Sequence, residues 1–346
     1  MRKILYISNY KKGVGGISAQ IDLLRDCIRE EQSPVNGEQY STDVFSTKGT
    51  PIVRLYLFLN LLWVARRYDV LHIHGCSDWG MLPVVYGVIA GKLWNKHVIV
   101  TYHGGEAAEY FTKHGAFARR WLTKADKVIV LSGFLEKVFD NYDIPCIVIP
   151  NIVTLRDNLY LPKQSIAPKF ISIRHLKSLY RIDLILRAYE LVLAHYPKAT
   201  LDILGQGDQR EKLERYVQEH HLSGVRFVGQ VPNEKIYDYM QSNDIMLSAP
   251  IIDNMPVSLL EAMNAGLLVI SSNVGGVPYM IKHQKSGLLF ESGEPSNVIG
   301  NMTEQILWAL EHQKESLKMI DSAHKDVQTY CWTVVRKQLL PLYEQI

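Results

Sequence analysis

Short apolar runs rich in β-branched residues alternate with longer helical patterns along both halves of the chain, and this alternation limits the possible folds. The first half contains five such runs: KILYIS, VLHIHG, VIVTYH, KVIVLS and IVIP. The second half contains six: KFISIR, LDILG, VRFVG, IMLSAP, LLVISS and GLLF. Near-continuous apolar strands separated by helices are typical of parallel sheets covered on both faces. The sequence therefore predicts two doubly wound α/β domains in tandem, with a cleft between them.

The boundary between these domains falls within residues 151–169, a segment that contains two prolines and shows no clean periodicity. A chain of 346 residues also exceeds the size of one ordinary compact core. We therefore expect a first domain over residues 1–160 and a second over residues 161–329. Ligands of doubly wound sheets bind beyond the carboxyl ends of the strands, so functional residues should directly follow strands.

Composition and charge exclude several classes of protein. An apolar fraction of 47% and a charged fraction of 21% are those of a folded globular protein. A net charge of +3 with scattered basic residues argues against a nucleic-acid partner. The N-terminal sequence lacks the apolar core of a signal peptide, and the four cysteines are too far apart for a disulfide framework or a zinc site. These features predict a cytoplasmic protein with reduced thiols.

The longest apolar run, residues 55–65, is bracketed by Arg54 on one side and by Arg66 and Arg67 on the other. Eleven residues are too few to span a bilayer as a helix. We expect this run to form a helix that faces the core. A helix lying in the interface of a membrane is the alternative.

Glycines and histidines follow three strands of the first predicted domain. Gly13, Gly15 and Gly16 form a loop that enters a helix and could approach a ligand closely, although they do not match the dinucleotide fingerprint GxGxxG. His103 lies at the carboxyl end of a strand beside two glycines, which makes it a candidate site residue. The pair His72 and His74 shares one face of a strand. Because no third ligand has suitable spacing, we predict no metal site.

Cations follow the first strand of the second predicted domain. Arg174 ends this strand, and Lys177 and Arg181 come before the next helix. Three cations at a cleft would form an anion clamp, whereas the same residues in a solvated loop would have no such role. Gly205 ends another strand and is a second candidate for close backbone approach.

The segment PIIDNMPVSLLEAMNAG (250–266) predicts a helix whose first residue is Pro256 and whose left-handed stop is Gly266. Glu261 lies in the middle of this apolar helix, where an ionised carboxylate without partners would be very unfavourable. Ligand hydroxyl groups would satisfy it, since a carboxylate accepts two at once.

The start of the same helix offers a second ligand site. Free N–H groups near Val257 and Ser258, at the positive end of the helix dipole, would suit a phosphate. With ribose on Glu261 and a second polyol on Asp253, the segment predicts a nucleotide-sugar as ligand.

Over nearly its full length the chain resembles a retaining glycosyltransferase of the GT-B fold and the family 4 type. The motifs that carry the resemblance are the glycine loop at 13–16, HIHG, TYHGG, VIPN, Arg174 with its loop, GQG, VRFVGQVP, the acid–seven–acid segment ending LLEAMNAG, and NVGGVPYMI. The final segment, YCWTVVRKQLLPLYEQI, is similar to the family's C-terminal helix. The resemblance implies that this helix, residues 330–346, crosses back onto the first domain.

The resemblance also implies roles for the candidate residues. Glu261 would hold the ribose of a nucleotide diphosphate sugar, Asp253 the hydroxyls of the donor sugar, and Arg174 with a nearby lysine the diphosphate. His103 would line the donor-sugar site, and Gly15 and Gly16 would close over the phosphates. Enzymes of this family usually need neither metal nor cofactor, and we expect a front-face reaction with the sugar's configuration retained.

Two departures from the family pattern leave details open. The first acid is Asp253 where the family usually has glutamate, and DNMP replaces the usual EGFG, so the donor could be a UDP-sugar or a GDP-sugar. The usual lysine five residues after Arg174 is replaced by Leu179. We expect Lys177, rather than Arg181, to take its role because Lys177 lies mid-loop on a flexible stem.

The acceptor is expected to be a glycan or a lipid-linked glycan of a bacterial surface polymer. A weaker hypothesis is peripheral contact with an anionic membrane at its inner face, through residues 54–67 and the cations Lys113, Arg119, Arg120 and Lys124. Two alternatives for the function remain open: a UDP-sugar 2-epimerase on the same fold, and a non-catalytic subunit that binds a nucleotide-sugar.

Overall fold

The computed structural model describes residues 1–12, 15–33, 35, 37–155, 160 and 162–345. Gly13, one of the glycines in the predicted loop, lies outside the described residues. The chain divides into two compact units. Unit 1 comprises Met1–Ile152 and Tyr330–Ile346, and unit 2 comprises Val153–Thr329.

Each unit contains one six-stranded sheet in which every pair of neighbouring strands is parallel. The strands of unit 1 are β1 Arg2–Ser8, β2 Tyr40–Ser46, β3 Val70–Gly75, β4 His97–Tyr102, β5 Lys127–Val130 and β6 Ile147–Val148. Those of unit 2 are β7 Lys169–Ile173, β8 Thr200–Leu204, β9 Val225–Gly229, β10 Ile245–Ser248, β11 Leu268–Ser272 and β12 Leu288–Phe290. The predicted α/β class and the eleven predicted apolar strands are confirmed.

Helices connect the strands and cover both faces of each sheet. They are α1 Gly16–Arg29, α2 Pro51–Val64, α3 Leu82–Leu93, α4 Ala107–Leu122, α5 Gly133–Asp140, α6 Ile182–Leu193, α7 Arg210–Glu219, α8 Asn233–Gln241, α9 Val257–Asn264, α10 Val277–Met280, α11 Pro295–Glu311, α12 Gln313–Val327 and α13 Trp332–Glu344. Within the described residues, none of these helices combines the length and the apolar composition that crossing a bilayer requires.

The strand order determines where a ligand can bind at the edge of each sheet. It is β2-β1-β3-β4-β5-β6 in unit 1 and β12-β11-β10-β7-β8-β9 in unit 2. The direction of strand connection therefore reverses between β1 and β3 in unit 1, and between β7 and β10 in unit 2. Such reversals open a crevice at the carboxyl ends of the strands, so they are the expected ligand positions.

Apolar side chains from the strands and helices form the core on each face of the unit 1 sheet. Helix α3 comes close to this sheet because it carries glycine at its contact points. A Cβ on Gly87 would lie 2.4 Å from Ile73 Cδ1, and one on Gly91 would lie 2.1 Å from Val98 Cγ2. Helix α13 packs on the opposite face, where Val335 and Tyr343 are buried. The C-terminal helix therefore belongs to unit 1.

Two features of unit 1 differ from expectation. Strand β2 was not predicted, because its sequence, YSTDVFS, is largely polar and the strand lies at the edge of the sheet. The expectation that residues 55–65 form a helix facing the core is confirmed for one side only: Leu61 and Ala65 belong to the core and Leu62 and Val64 pack against it, whereas the rest of the run is partly or fully exposed. Among the residues of α2, Leu61 alone is buried, since the helix packs on the outer side of α3 rather than on the sheet.

Candidate functional site

Arg174 and Asp253 form an ion pair at the point in unit 2 where the strand order reverses. Arg174 directly follows β7, and Asp253 lies in the loop after β10. The Nη1 atom of Arg174 lies 3.0 Å from Asp253 Oδ2, and its Nη2 donates to Ser248 Oγ at 3.3 Å. Both were predicted as site residues, but this contact between them was not. The contribution of Ser248, the last residue of β10, was also missed.

Glycines hold the loop of Asp253 in place. The Gly276 N–H donates to the carbonyl of Asp253 at 3.0 Å. A Cβ on Gly275 would lie 2.0 Å from the Asp253 carbonyl oxygen, and one on Gly276 would lie 2.0 Å from that of Asn254. The second carboxylate oxygen, Asp253 Oδ1, accepts from the Asn254 N–H at 2.8 Å. The NVGGVP segment therefore positions Asp253 through its backbone, a role that the sequence motif alone does not reveal.

The backbone of Arg174 depends on Gly205 in a similar way. Gly205 has a φ of +137°, and a Cβ at this position would lie 1.8 Å from the Arg174 carbonyl oxygen. The guanidinium of Arg174 lies 5.3 Å from the ring centroid of Tyr180, a cation–π contact that sequence reasoning missed. Gly205 therefore has a packing reason for being glycine, while its contact with a nucleotide stays a prediction.

The two candidates for the second cation differ in their surroundings. Lys177 is exposed and lines a cavity of about 200 Å³ together with Arg181 and Lys212. Arg181 adopts a left-handed backbone with φ 48°, and its Nη1 donates to the Gly293 carbonyl at 3.1 Å. Arg181 is therefore engaged in holding the loop before α11, whereas Lys177 keeps a long solvated side chain.

Helix α9 carries the predicted acid–seven–acid segment. Pro256 is its N-cap and Val257 its first residue, so the helix begins one residue later than predicted. The predicted left-handed stop is confirmed, since Gly266 has a φ of +76°. No side chain caps the start of the helix. The hydroxyl of Ser258 is buried without a hydrogen-bond partner among the described residues.

Glu261 lies in the middle of α9 and is half-buried. Its neighbours Leu260 and Ala262 are completely buried. The helix therefore fixes the carboxylate while leaving part of it accessible. The predicted position of this carboxylate within an apolar helix is confirmed, while its role toward ribose stays a prediction.

Histidines occupy the corresponding region of unit 1. His103 follows β4, and His74 lies in β3, with 2.8 Å between His74 Nδ1 and His103 Nε2. Burial lowers the pKa of His103 to about 4 and that of His74 well below its usual value. Both rings are therefore neutral at pH 7. His74 Nε2 is buried without a partner among the described residues, so a proton on this atom would be an unpaired buried donor. The proton of His74 therefore lies on Nδ1 and is donated to His103 Nε2, which leaves the proton of His103 on its Nδ1.

His72 belongs to a buried network that includes α13. Its Nδ1 lies 2.8 Å from the Tyr343 hydroxyl, and its Nε2 lies 2.8 Å from Thr101 Oγ1. The rings of His72 and His74 lie 4.5 Å apart, which confirms that they share one face of the strand. Within the described residues, no group of three histidines, cysteines or carboxylates has the geometry of a metal site.

Gly15 and Gly16 border a cavity of about 250 Å³ where the strand order of unit 1 reverses. Gly15 is the N-cap of α1 and has a φ of +84°. A Cβ on either glycine would meet nothing within 4 Å, so the backbone faces open space. Residues that follow β1, together with His74 and Cys76, line the rest of the cavity. The predicted residues thus divide over two sites, one in each unit.

Family models match both halves of the chain. The model "Glycosyl transferases group 1" matches residues 161–326, and "Glycosyltransferase Family 4" matches residues 26–157. A curated relative is the phosphatidylinositol N-acetylglucosaminyltransferase gpi3 subunit of Schizosaccharomyces pombe, which is 28% identical over 205 residues. The match covers 58% of this chain and 43% of that protein, so this chain spans less than half of its relative's length.

Solved structures match over the full length. Anabaena Alr3699/HepE in complex with UDP has a TM-score of 0.79 at 17% identity, and the match covers 99% of this chain and all of that one. Sucrose-phosphate synthase from Thermosynechococcus elongatus also has a TM-score of 0.79, at 18% identity, covering 100% and 99% of the two chains. The two family models and this shared architecture establish that the chain belongs to the family 4 type of glycosyltransferases with the GT-B fold.

Proposed function

We propose that this glycosyltransferase moves a sugar from a UDP-sugar or GDP-sugar to a glycan or lipid-linked glycan, in the synthesis of a bacterial surface polysaccharide. The proposal includes retention of the anomeric configuration and independence of metal ions and cofactors. UDP is favoured as the nucleotide by the Anabaena protein, which was solved with UDP and with UDP-glucose. We further propose that the enzyme acts in the cytoplasm, at the inner face of the membrane.

The observation that carries the proposal is the charged site of unit 2. Arg174 lies at the carboxyl end of β7, where the strand order reverses, and its side chain is held by Asp253 and Ser248. Arg174, together with the uncapped N–H groups of α9, would bind a diphosphate. Glu261, one turn further along the helix, would accept hydrogen bonds from the ribose hydroxyls.

The same residues would stabilise the reaction. The bond between the anomeric carbon and the diphosphate oxygen breaks, and the departing nucleoside diphosphate gains negative charge. Arg174, Lys177 and the N–H groups at Val257 and Ser258 would neutralise this charge. An acceptor hydroxyl attacks the anomeric carbon from the face that the diphosphate leaves, and its proton passes to the departing phosphate oxygen. Attack on that face retains the configuration.

Unit 1 would supply neutral contacts. In this proposal its cavity of about 250 Å³ binds the acceptor. The neutral His103 would donate its Nδ1–H to a sugar hydroxyl without adding charge. The roles of Gly15 and Gly16 toward the donor phosphates remain predictions from the family resemblance.

The first experiment is a thermal-shift screen of UDP-, GDP- and ADP-sugars, since a ligand that binds only the folded state raises its stability. The stabilising donor is then incubated with and without candidate glycan acceptors, and the products are analysed for linkage and anomeric configuration. We expect transfer with retention. Conversion of the donor to its 2-epimer, binding without turnover on any acceptor, or inversion of configuration would each contradict the proposal.

A further inference from the structure

The outer face of α2 exposes a continuous apolar stripe to solvent. Ile52 is 84% exposed and Tyr56 is 67% exposed. The stripe consists of residues that share one face of the helix: Ile52, Leu55, Tyr56, Leu59 and Trp63. Single exposed apolar residues are common on proteins, but a contiguous stripe of this kind marks an interaction surface.

The inner side of α2 is firmly packed, so the helix holds this stripe in a fixed orientation. Leu61 is completely buried. The rings of Phe58 and Tyr86 lie 4.7 Å apart, and Trp94 Nε1 donates to the Leu62 carbonyl. The exposed apolar face is therefore the solvent-facing side of a helix whose other side is anchored to α3.

Indole rings and guanidinium groups border the stripe. Arg54 lies 4.8 Å from the ring centroid of Trp79, and Arg66 lies 3.4 Å from that of Trp63. Trp79 is 66% exposed, and Leu93 is exposed as well. Tryptophan is enriched where an apolar phase meets water, because its ring is apolar and its N–H is polar.

Cations predominate in the charge of this region. Residues 44–68 contain four cations, Lys48, Arg54, Arg66 and Arg67, and no aspartate or glutamate. Asp69 and Asp78 lie between this segment and residues 79–105, which also lack acidic residues, so cations outnumber carboxylates by six to two over residues 44–105. A second copy of the chain docked face to face would bring like charges together, so the surface favours an anionic partner.

We infer that α2 lies flat on an anionic lipid bilayer. Its apolar stripe enters the boundary between headgroups and acyl chains, the indoles lie at the level of the headgroups, and the arginines pair with lipid phosphates. A helix of 14 residues is about 21 Å long, too short to cross the bilayer but suited to lying in its surface. The inference deepens the membrane part of the proposed function by naming the surface that binds. It does not depend on the identity of the donor.

Co-sedimentation of the full chain with vesicles tests this inference. The vesicles contain phosphatidylcholine alone or an equal mixture with phosphatidylglycerol, and the wild type should bind the mixed vesicles much more tightly. The double variant Leu55→Ser/Leu59→Ser should lose about tenfold or more in affinity, since each leucine would no longer be buried in lipid. Leu191→Ser, on an exposed position of α6 in unit 2, is the matched control and should bind like the wild type.

A second pair of variants tests the charges. Arg66→Gln/Arg67→Gln should weaken binding to mixed vesicles, whereas Arg119→Gln/Arg120→Gln, on α4, should weaken it less. All variants should keep the melting temperature of the wild type, because the changed side chains are exposed.

Three outcomes would overturn the inference: binding that ignores phosphatidylglycerol, equal binding by the α2 variants and the wild type, or a solution dimer that the leucine variants dissociate. Thermal shifts with nucleotide-sugars are measured in parallel without lipid. A failure of donor binding is thereby distinguished from a failure of membrane binding.

Discussion

The two units differ in electrostatics at equivalent places, one with a charged contact and the other with a neutral one. Each has a parallel sheet whose strand order reverses once, and each gathers polar side chains at that reversal. In unit 2 the central contact is between ionised groups, Arg174 and Asp253. In unit 1 it is between neutral histidines, His74 and His103, whose pKa values are lowered by burial. The fold therefore determines where a ligand can bind, while the side chains determine which charge it can carry.

This difference has a physical cause in how the groups are buried. The side chain of Arg174 is only 10% exposed, and an ion pair and a hydrogen bond to Ser248 offset part of its loss of hydration, although its Nε has no partner among the described residues. The histidines of unit 1 face each other and hydroxyl groups rather than carboxylates, so burial removes their charge. In the proposed function, unit 2 binds the diphosphate and unit 1 a neutral polyol.

The largest expected effect concerns pH. Burial lowers the pKa of His72 to about 3, whereas a histidine in an unfolded chain titrates near about 6.5. Between these values the unfolded chain binds a proton that the folded chain does not, so His72 stabilises the fold fully above pH 6.5. This stability should fall by about 1.4 kcal/mol for each pH unit as the pH drops from 6.5 towards 3.

Denaturant unfolding followed by tryptophan fluorescence would measure this loss in unit 1, because every tryptophan except Trp308 belongs to that unit. Replacing Trp308 with phenylalanine makes the signal specific. His72→Gln keeps a hydrogen-bonding side chain without a titrating group. The free energy of unfolding of this variant should therefore fall less steeply with pH than that of the wild type, by about 1.4 kcal/mol per pH unit. An identical slope in the variant and the wild type would show that the histidine is not the cause.

The second prediction tests whether the charge of unit 2 acts on the leaving group. Lys177→Ala should lower turnover by about 10²–10³, because it removes one positive charge that would neutralise the leaving diphosphate in the transition state. Arg181→Ala, in the same cavity, should change turnover only slightly, since the side chain of Arg181 bonds to Gly293. Steady-state rates per folded enzyme would compare them. The reverse ranking would assign the role to Arg181.

The third prediction concerns the other carboxylate of unit 2. Glu261→Ala should weaken UDP or GDP binding by about 1.5–3 kcal/mol, because a charged acceptor for the ribose hydroxyls is lost. Titration of the nucleotide in a thermal-shift assay would detect the change. Glu219→Ala, an exposed glutamate at the end of α7, is the control and should bind normally. Unchanged affinity in the Glu261 variant would remove this residue from the donor site.

The smallest expected effect is that of chelation. If side chains and helix N–H groups of unit 2 neutralise the diphosphate, transfer in excess EDTA should proceed at the untreated rate. The rate is measured before and after chelation, and again after magnesium or manganese is restored. A loss of activity that either metal reverses would mean that a bound metal ion supplies part of the positive charge that neutralises the diphosphate.

Much of the architecture could be predicted because burial dictates the residue pattern. The apolar strands were recognised, and the structure confirms that Arg174 and His103 directly follow strands, while their roles in a site stay predictions. The edge strand β2 was missed because an edge does not need an apolar sequence on both faces. The exposure of one side of α2 was missed for a related reason: apolarity does not indicate which layer of the fold a helix occupies.

The contacts between residues within each site could not be predicted from the sequence. The ion pair between Arg174 and Asp253 joins residues separated by 79 positions, and no local pattern encodes their distance. Likewise, the His74–His103 contact depends on the pairing of β3 with β4. Spacing along the chain identified the residues, but their partners depend on strand order and side-chain direction.

The return of α13 to unit 1 has a consequence for the order of events during synthesis. The ribosome produces all of unit 2 before it produces the helix whose Tyr343 contacts His72 and whose Val335 and Leu339 cover the first sheet. Until then, one apolar face of the nascent unit 1 is covered by α1 but lacks the part of its cover that α13 supplies. Unit 2 can complete its core while the chain is still being translated, whereas unit 1 must wait for α13, although its strands are made first.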